Sequence, residues 1–154
     1  MEERIKSNYH MNTNIQEQEF SGDPEKCTIS PTALDTSMIA LKANDCLSNA
    51  GKIAQMYNFC NIIEGVLCVK NIEDSGINFV CHAWNYDTHT QTYFDETTKL
   101  DEIANNIVGK IEYQYFKCYE YSLDFAMTHQ KSNGFQYSYD DLIDYMKSKV
   151  VETN

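Results

Sequence analysis

The chain lacks any apolar stretch approaching the roughly 20 residues that a membrane-spanning helix needs, so no segment of it reads as a membrane anchor. It is also short of positive charge, with 12 Lys and Arg against 23 Asp and Glu and a formal net charge of −11. A surface of that sign repels nucleic-acid backbones and anionic membranes, so neither is expected as a partner. A basic or amide-rich protein surface is the more natural target. The N-terminal stretch from Met1 to Glu19 lacks the apolar core of a signal peptide, which makes a cytosol, a host's included, the expected location. Also missing are internal repeats, low-complexity tracts and any Cys-x-x-Cys pair among the six cysteines, which stand at 27, 46, 60, 68, 81 and 118. With no second histidine at ligand spacing, neither a metal nor another cofactor is expected. Without a secretory signal, free thiols are expected over disulfides. Most of these cysteines then serve as small buried hydrophobes, with Cys46 as the exception.

What the chain does have is enough apolar material for a core. At 154 residues, 42% hydrophobic, with 11 Tyr, 7 Phe and 1 Trp, it reads as globular. Residues 1–20 read as a flexible arm, and residues 21–154 as a single domain whose start is marked by the turn-forming Ser21-Gly22-Asp23-Pro24. Pro31 suits the first position of a short helix. Asn44 or Asp45 is placed to cap a helix from about Cys46 to Tyr57, in which Leu47, Ala50, Ile53, Ala54 and Tyr57 share one face. Asn61 to Lys70 is predicted as a strand. A polar turn separates it from a second strand, Ile77 to Tyr86, and a hairpin connection at 87–91 leads to a return strand over Thr92 to Asp95. A helix is expected over Leu100 to Val108. The tyrosine-rich run from Ile111 to Phe125 leans towards helix in its second half, and Ser138 to Asp141 reads as the start of another helix. The fold class expected is α+β, a small antiparallel sheet packed against the helix that begins with Cys46.

Three residues in this layout carry chemistry. His82 follows Cys46 by 36 residues, and Asp95 follows His82 by 13. A cysteine in the first turn of a helix gains from the helix dipole and from backbone N–H groups that have no partner in the helix. A thiol becomes a nucleophile when a base takes its proton and a third group orients that base. The hairpin is expected to set His82 and Asp95 side by side on one face. Asn85 lies along the same strand as His82 but on the other face. Glu64 is either a charge on a strand or a substrate contact.

The segment from Asn44 to Lys99 resembles the transglutaminase-like branch of the papain-type cysteine enzymes. The resemblance rests on Cys-Leu-Ser-Asn-Ala at 46–50, Glu-Gly at 64–65, Cys-His-Ala-Trp-Asn at 81–85 and Asp-Glu-Thr at 95–97. It covers about a third of the chain and implies a Cys46–His82–Asp95 catalytic triad, with Asn44, Asn49 and Trp84 in support. Two positions depart from the family pattern: Glu96 stands where a proline is usual, and Ala40 stands near where papain relatives carry an oxyanion glutamine. The donors would then be the Cys46 backbone N–H together with Asn44 or a tyrosine.

The reading that follows is a thiol-dependent acyl-transfer enzyme (protease, glutamine deamidase or transglutaminase in type) acting on a protein or peptide substrate. The alternative is an inactive binding protein on the same scaffold, engaging a basic partner through its acidic surface. A metal module built on Cys46, Cys81 and His82 is disfavoured, because adjacent strand residues point to opposite faces. Oligomeric state is left open by the sequence.

Overall fold

The computed structural model describes residues 24–128, 144 and 146–148. Its elements are β1 (Glu25–Cys27), α1 (Cys46–Met56), β2 (Cys60–Asn71), β3 (Ile77–Asp87), β4 (Thr92–Phe94), α2 (Thr97–Ala104), β5 (Ile111–Tyr121) and α3 (Leu123–Thr128). They form an α+β fold around one five-stranded sheet of order β1-β5-β2-β3-β4, antiparallel throughout. The expected arm at residues 1–20 and the helix start at 138–141 lie outside the described residues. No helix among the described residues is long and apolar enough to cross a membrane.

The sheet is curled. Cys27 pairs with Tyr115 on β5, at one end of the strand order. Only two residues later, Ile29 bridges Tyr93 on β4, at the other end, and the Ser30 N–H donates to the Tyr93 carbonyl at 2.8 Å. Three strand spacings separate β5 from β4, about 14 Å in a flat sheet, whereas two residues of chain reach only about 7 Å. The sheet must therefore bend until its edges meet across this crossing.

Alternation along β2 and β3 sorts side chains onto the two faces. Ile62, Val66, Cys68, Phe79, Cys81 and Ala83 share a core with Cys46, Ala50 and Ala54 of α1. The concave face holds Ile63, Leu67, Val80 and Trp84 with Cys27 and Tyr115. Asn85, as expected, faces away from His82: its amide donates to the Ala50 carbonyl at 3.1 Å and the Asn61 carbonyl at 3.2 Å.

β5 changes faces part-way. Glu64 pairs with Tyr119 but Gly65 with Lys117, which leaves Cys118 as the extra residue of a bulge. Cys118 and Tyr119 consequently enter the same core cluster, while Tyr115 stays on the concave face. The backbone comes close here. A Cβ on Gly65 would sit 2.0 Å from the Phe116 carbonyl oxygen and 2.7 Å from the Trp84 ring, so only glycine fits.

Three expected elements differ. Residues 31–45 contain no helix. Their side chains compete for the backbone instead, with Thr32 Oγ1 accepting from Leu34 N–H and Asp35 Oδ1 from Ser37 N–H. The helix expected over Leu100 to Val108 begins at Thr97 and ends at Ala104, where Asn106 turns into the left-handed region at φ 56°. The second half of the tyrosine-rich run is strand through Tyr121, because pairing with β2 outweighs any local preference for helix, and it becomes helix only from Leu123.

Candidate functional site

Cys46 lies in α1, with Asp45 in the capping position but making no side-chain cap bond. The loop before it is pinned twice. Asn44 adopts φ 60°, and its N–H donates to Asp101 Oδ1 at 2.5 Å. Burial raises the Asp101 carboxyl above the ordinary range, against the lowering effect of that bond. Asn49, itself buried, donates its amide to the Lys42 carbonyl at 2.7 Å and to Thr97 Oγ1 at 2.9 Å, and accepts from the Lys42 N–H at 3.0 Å. Asn49 thus ties the helix of Cys46 to the first residue of α2.

His82 sits on β3 with Val80 and Trp84 on its own face. Strand β4 pairs only with Asn85 to Asp87, so among the described residues that edge of β3 is unpaired at His82. Continuing the register sets Asp95 opposite Trp84, which makes His82 its diagonal neighbour. Long side chains bridge such a diagonal. His82 Nε2 and Asp95 Oδ2 are 2.9 Å apart. The Cys46 side chain lies close enough to the imidazole to help raise it. Cys46, His82 and Asp95 are 5%, 5% and 4% exposed.

Asp95 holds two structures together. Its Oδ1 accepts from the N–H groups of Thr97 at 2.9 Å and Thr98 at 3.3 Å, which starts α2. Its Oδ2 also accepts from the Tyr115 hydroxyl at 2.7 Å. Burial alone would raise the carboxyl, but the His82 charge, the bonds from His82 and Tyr115 and the Thr97 N–H together hold it below its usual value. Burial alone would lower the imidazole; Asp95, through charge and hydrogen bond, and Cys46 hold it well above its usual value. The pair is therefore most stable as imidazolium and carboxylate.

Burial pushes the thiols of Cys27 and Cys68 up to about 11 and that of Cys60 to about 12, and raises Cys118 as well. Cys81 and His82 point to opposite faces of β3, which separates the ligands of a Cys46–Cys81–His82 metal site. Trp84 is core, 1% exposed, and its indole N–H has no acceptor among the described residues. Glu64 is fully buried and accepts from the Tyr121 hydroxyl, so it is no surface charge. Ala40 is exposed, and its carbonyl accepts from Lys52 Nζ at 2.8 Å. Glu96 takes the position before α2, where it bonds the Thr36 hydroxyl at 3.0 Å and Lys99 at 2.7 Å.

Sequence reasoning passed over Tyr115, Thr97, Thr98 and Asp101. The period-two spacing of Tyr113 and Tyr115 is the signal for Tyr115, since a strand puts both on one face. A cleft of about 730 Å³ is lined by Asp95 and Tyr115 together with Lys26, Lys70 and Lys99. It does not reach Cys46. Comparison with family models, with curated proteins and with solved structures gives no match for this chain.

Proposed function

We propose that the chain is a thiol-dependent acyl-transfer enzyme with a papain-type, transglutaminase-like core, acting on a protein or peptide carboxamide or peptide bond. One observation carries the reading: Cys46 lies beside an imidazole that it helps to raise, and the Nε2 of that imidazole is 2.9 Å from a buried carboxylate. With the thiol proton already resident on the His82 imidazolium, the Cys46 thiolate attacks the carbonyl carbon to form a tetrahedral oxyanion. The Cys46 N–H, in the helix's first turn and without an intrahelical acceptor, suits that oxyanion as a donor. The intermediate collapses to a thioester as the imidazolium protonates the departing ammonia or amine. Water then attacks the thioester, with His82 taking its proton, and yields the acid; an amine in place of water yields a new amide. Asp95 keeps the imidazole in the required tautomer and stabilises its charged form.

A second reading, an inactive binding protein that engages a basic partner, draws support from the burial of all three side chains and the net charge of −11. Site-resolved iodoacetamide alkylation of the native chain between pH 5 and 9, read by mass spectrometry, separates the two. Under the enzyme reading Cys46 is the fastest of the six cysteines at neutral pH and loses that lead in His82→Ala. Cys46 reacting no faster than the other cysteines would favour the binding protein.

A further inference from the structure

The two oxygens of Asp95 are used differently. Oδ1 is taken by two backbone N–H groups, a fixed pair belonging to the start of α2. Oδ2 is shared by two side chains, His82 at 2.9 Å and Tyr115 at 2.7 Å. Tyr115 is held firmly for this purpose. Its ring meets Trp84 edge-on with centroids 5.1 Å apart, it is 5% exposed, and Thr98 Oγ1 is its other polar neighbour at 3.4 Å. The β5 bulge keeps Tyr115 on the concave face with His82, since the tyrosines beyond it, Tyr119 and Tyr121, point the other way. Burial and the Asp95 charge raise the phenol far above its ordinary value, so the hydroxyl remains a donor at any working pH.

We propose that Tyr115 is a positioning residue for His82, acting through Asp95. Its hydroxyl fixes the carboxylate plane so that Oδ2 faces Nε2, and it supplies a second donor that keeps Asp95 from taking the ring proton. The imidazole is thereby held with Nε2 protonated and its other nitrogen turned to Cys46. The effect on thiol chemistry rests on the acyl-transfer reading; the effect on the ring does not.

The test uses the full chain and the ring nitrogens of His82 followed by ¹⁵N NMR against pH, assigned among the four histidines by a His82→Gln variant. Tyr115→Phe keeps the ring and removes only the hydroxyl. The expected result is that the low-pH transition of the His82 signals, where Asp95 gains its proton, moves up by about one pH unit. Cys46 alkylation at pH 7 is expected to fall by roughly threefold to tenfold. Placing 3-fluorotyrosine at position 115, a stronger donor, should move the transition downward, and this variant carries the test if Tyr115→Phe does not fold. His82 signals unchanged in both variants would overturn the proposal. If the transition moves while Cys46 is inert in the parent chain, the positioning role stands and the acyl-transfer reading fails.

Discussion

The two faces of the curled sheet each bury a carboxylate against a tyrosine, and they put the pair to different use. On the face under α1, Glu64 accepts from Tyr121 within a cluster of Val66, Cys81, Ala83 and Cys118. On the concave face, Asp95 accepts from Tyr115 but also from His82, which lies beside Cys46. A buried acid with a phenol donor is thus no signature of chemistry by itself, since burying a carboxylate requires donors wherever it lies. What distinguishes the concave face is the base that can pass a proton onward. One element, β5, supplies both tyrosines, and its bulge assigns them to opposite faces.

The comparison is broken most completely at the bulge. Gly65→Ala forces a Cβ to within 2.0 Å of the Phe116 oxygen, and a loss of about 3 kcal/mol or more is expected in urea denaturation. A variant of parental stability would mean that the close approach of β2 and β5 is wrong.

The next effect is on the concave pair. Asp95→Ala leaves His82 buried with neither its counter-charge nor its acceptor, and should cost about 3–5 kcal/mol. In the parent chain the pair's contribution depends on pH in two directions. The raised imidazole contributes fully below its unfolded value near 6.5, and that contribution is lost as pH rises through the folded value. The lowered carboxyl contributes above its unfolded value near 3.9, and that is lost as pH falls through the folded value. Stability relative to Asp95→Asn should therefore peak between about pH 4 and 6.5. A difference that stays flat from pH 3 to 8 would rule out the ion pair.

Asn49→Ala cuts the link between α1 and α2. About 2 kcal/mol is expected, because the buried Thr97 hydroxyl and the Lys42 carbonyl and N–H lose their partner, along with slower alkylation of Cys46. Unchanged alkylation would show that the Cys46–His82 contact does not need this brace.

The smallest effect sharpens the contrast. Tyr121→Phe should cost about 1–2 kcal/mol and leave the pH profile of Cys46 alkylation where it is. A shifted profile would show that the two faces are coupled.

Much of this arrangement was legible in the residues. Alternation in Ile77 to Tyr86 placed His82 and Trp84 on one face and Asn85 on the other. The turn residues Asp87 to Gln91 marked the hairpin, in which Asp87 Oδ1 accepts from His89 and Thr90. The ladder, however, brings Asp95 to His82 on the diagonal and not directly across. The start of α2 is not visible in the periodicity because Asp95 serves both His82 and the helix, and the helical pattern of Leu100 and Ile103 shows only its later turns. The run from Ile111 reads as part helix because its tyrosines change face at a bulge, so no single period describes it.

The sequence by itself determined strands β2, β3 and β4, the helix that carries Cys46 and the face on which His82 lies, because these follow from local periodicity and turn chemistry. Only the tertiary structure decided that Tyr115 joins Asp95 behind that histidine and that Asn49 ties the helix of Cys46 to α2. Their meeting depends on the curl of the sheet, on one bulge beside Gly65 and on hydrogen bonds between residues 48 apart for Asn49 and Thr97 and 20 apart for Tyr115 and Asp95. Geometry of that kind arises from closing the sheet on itself and leaves no periodic trace along the chain.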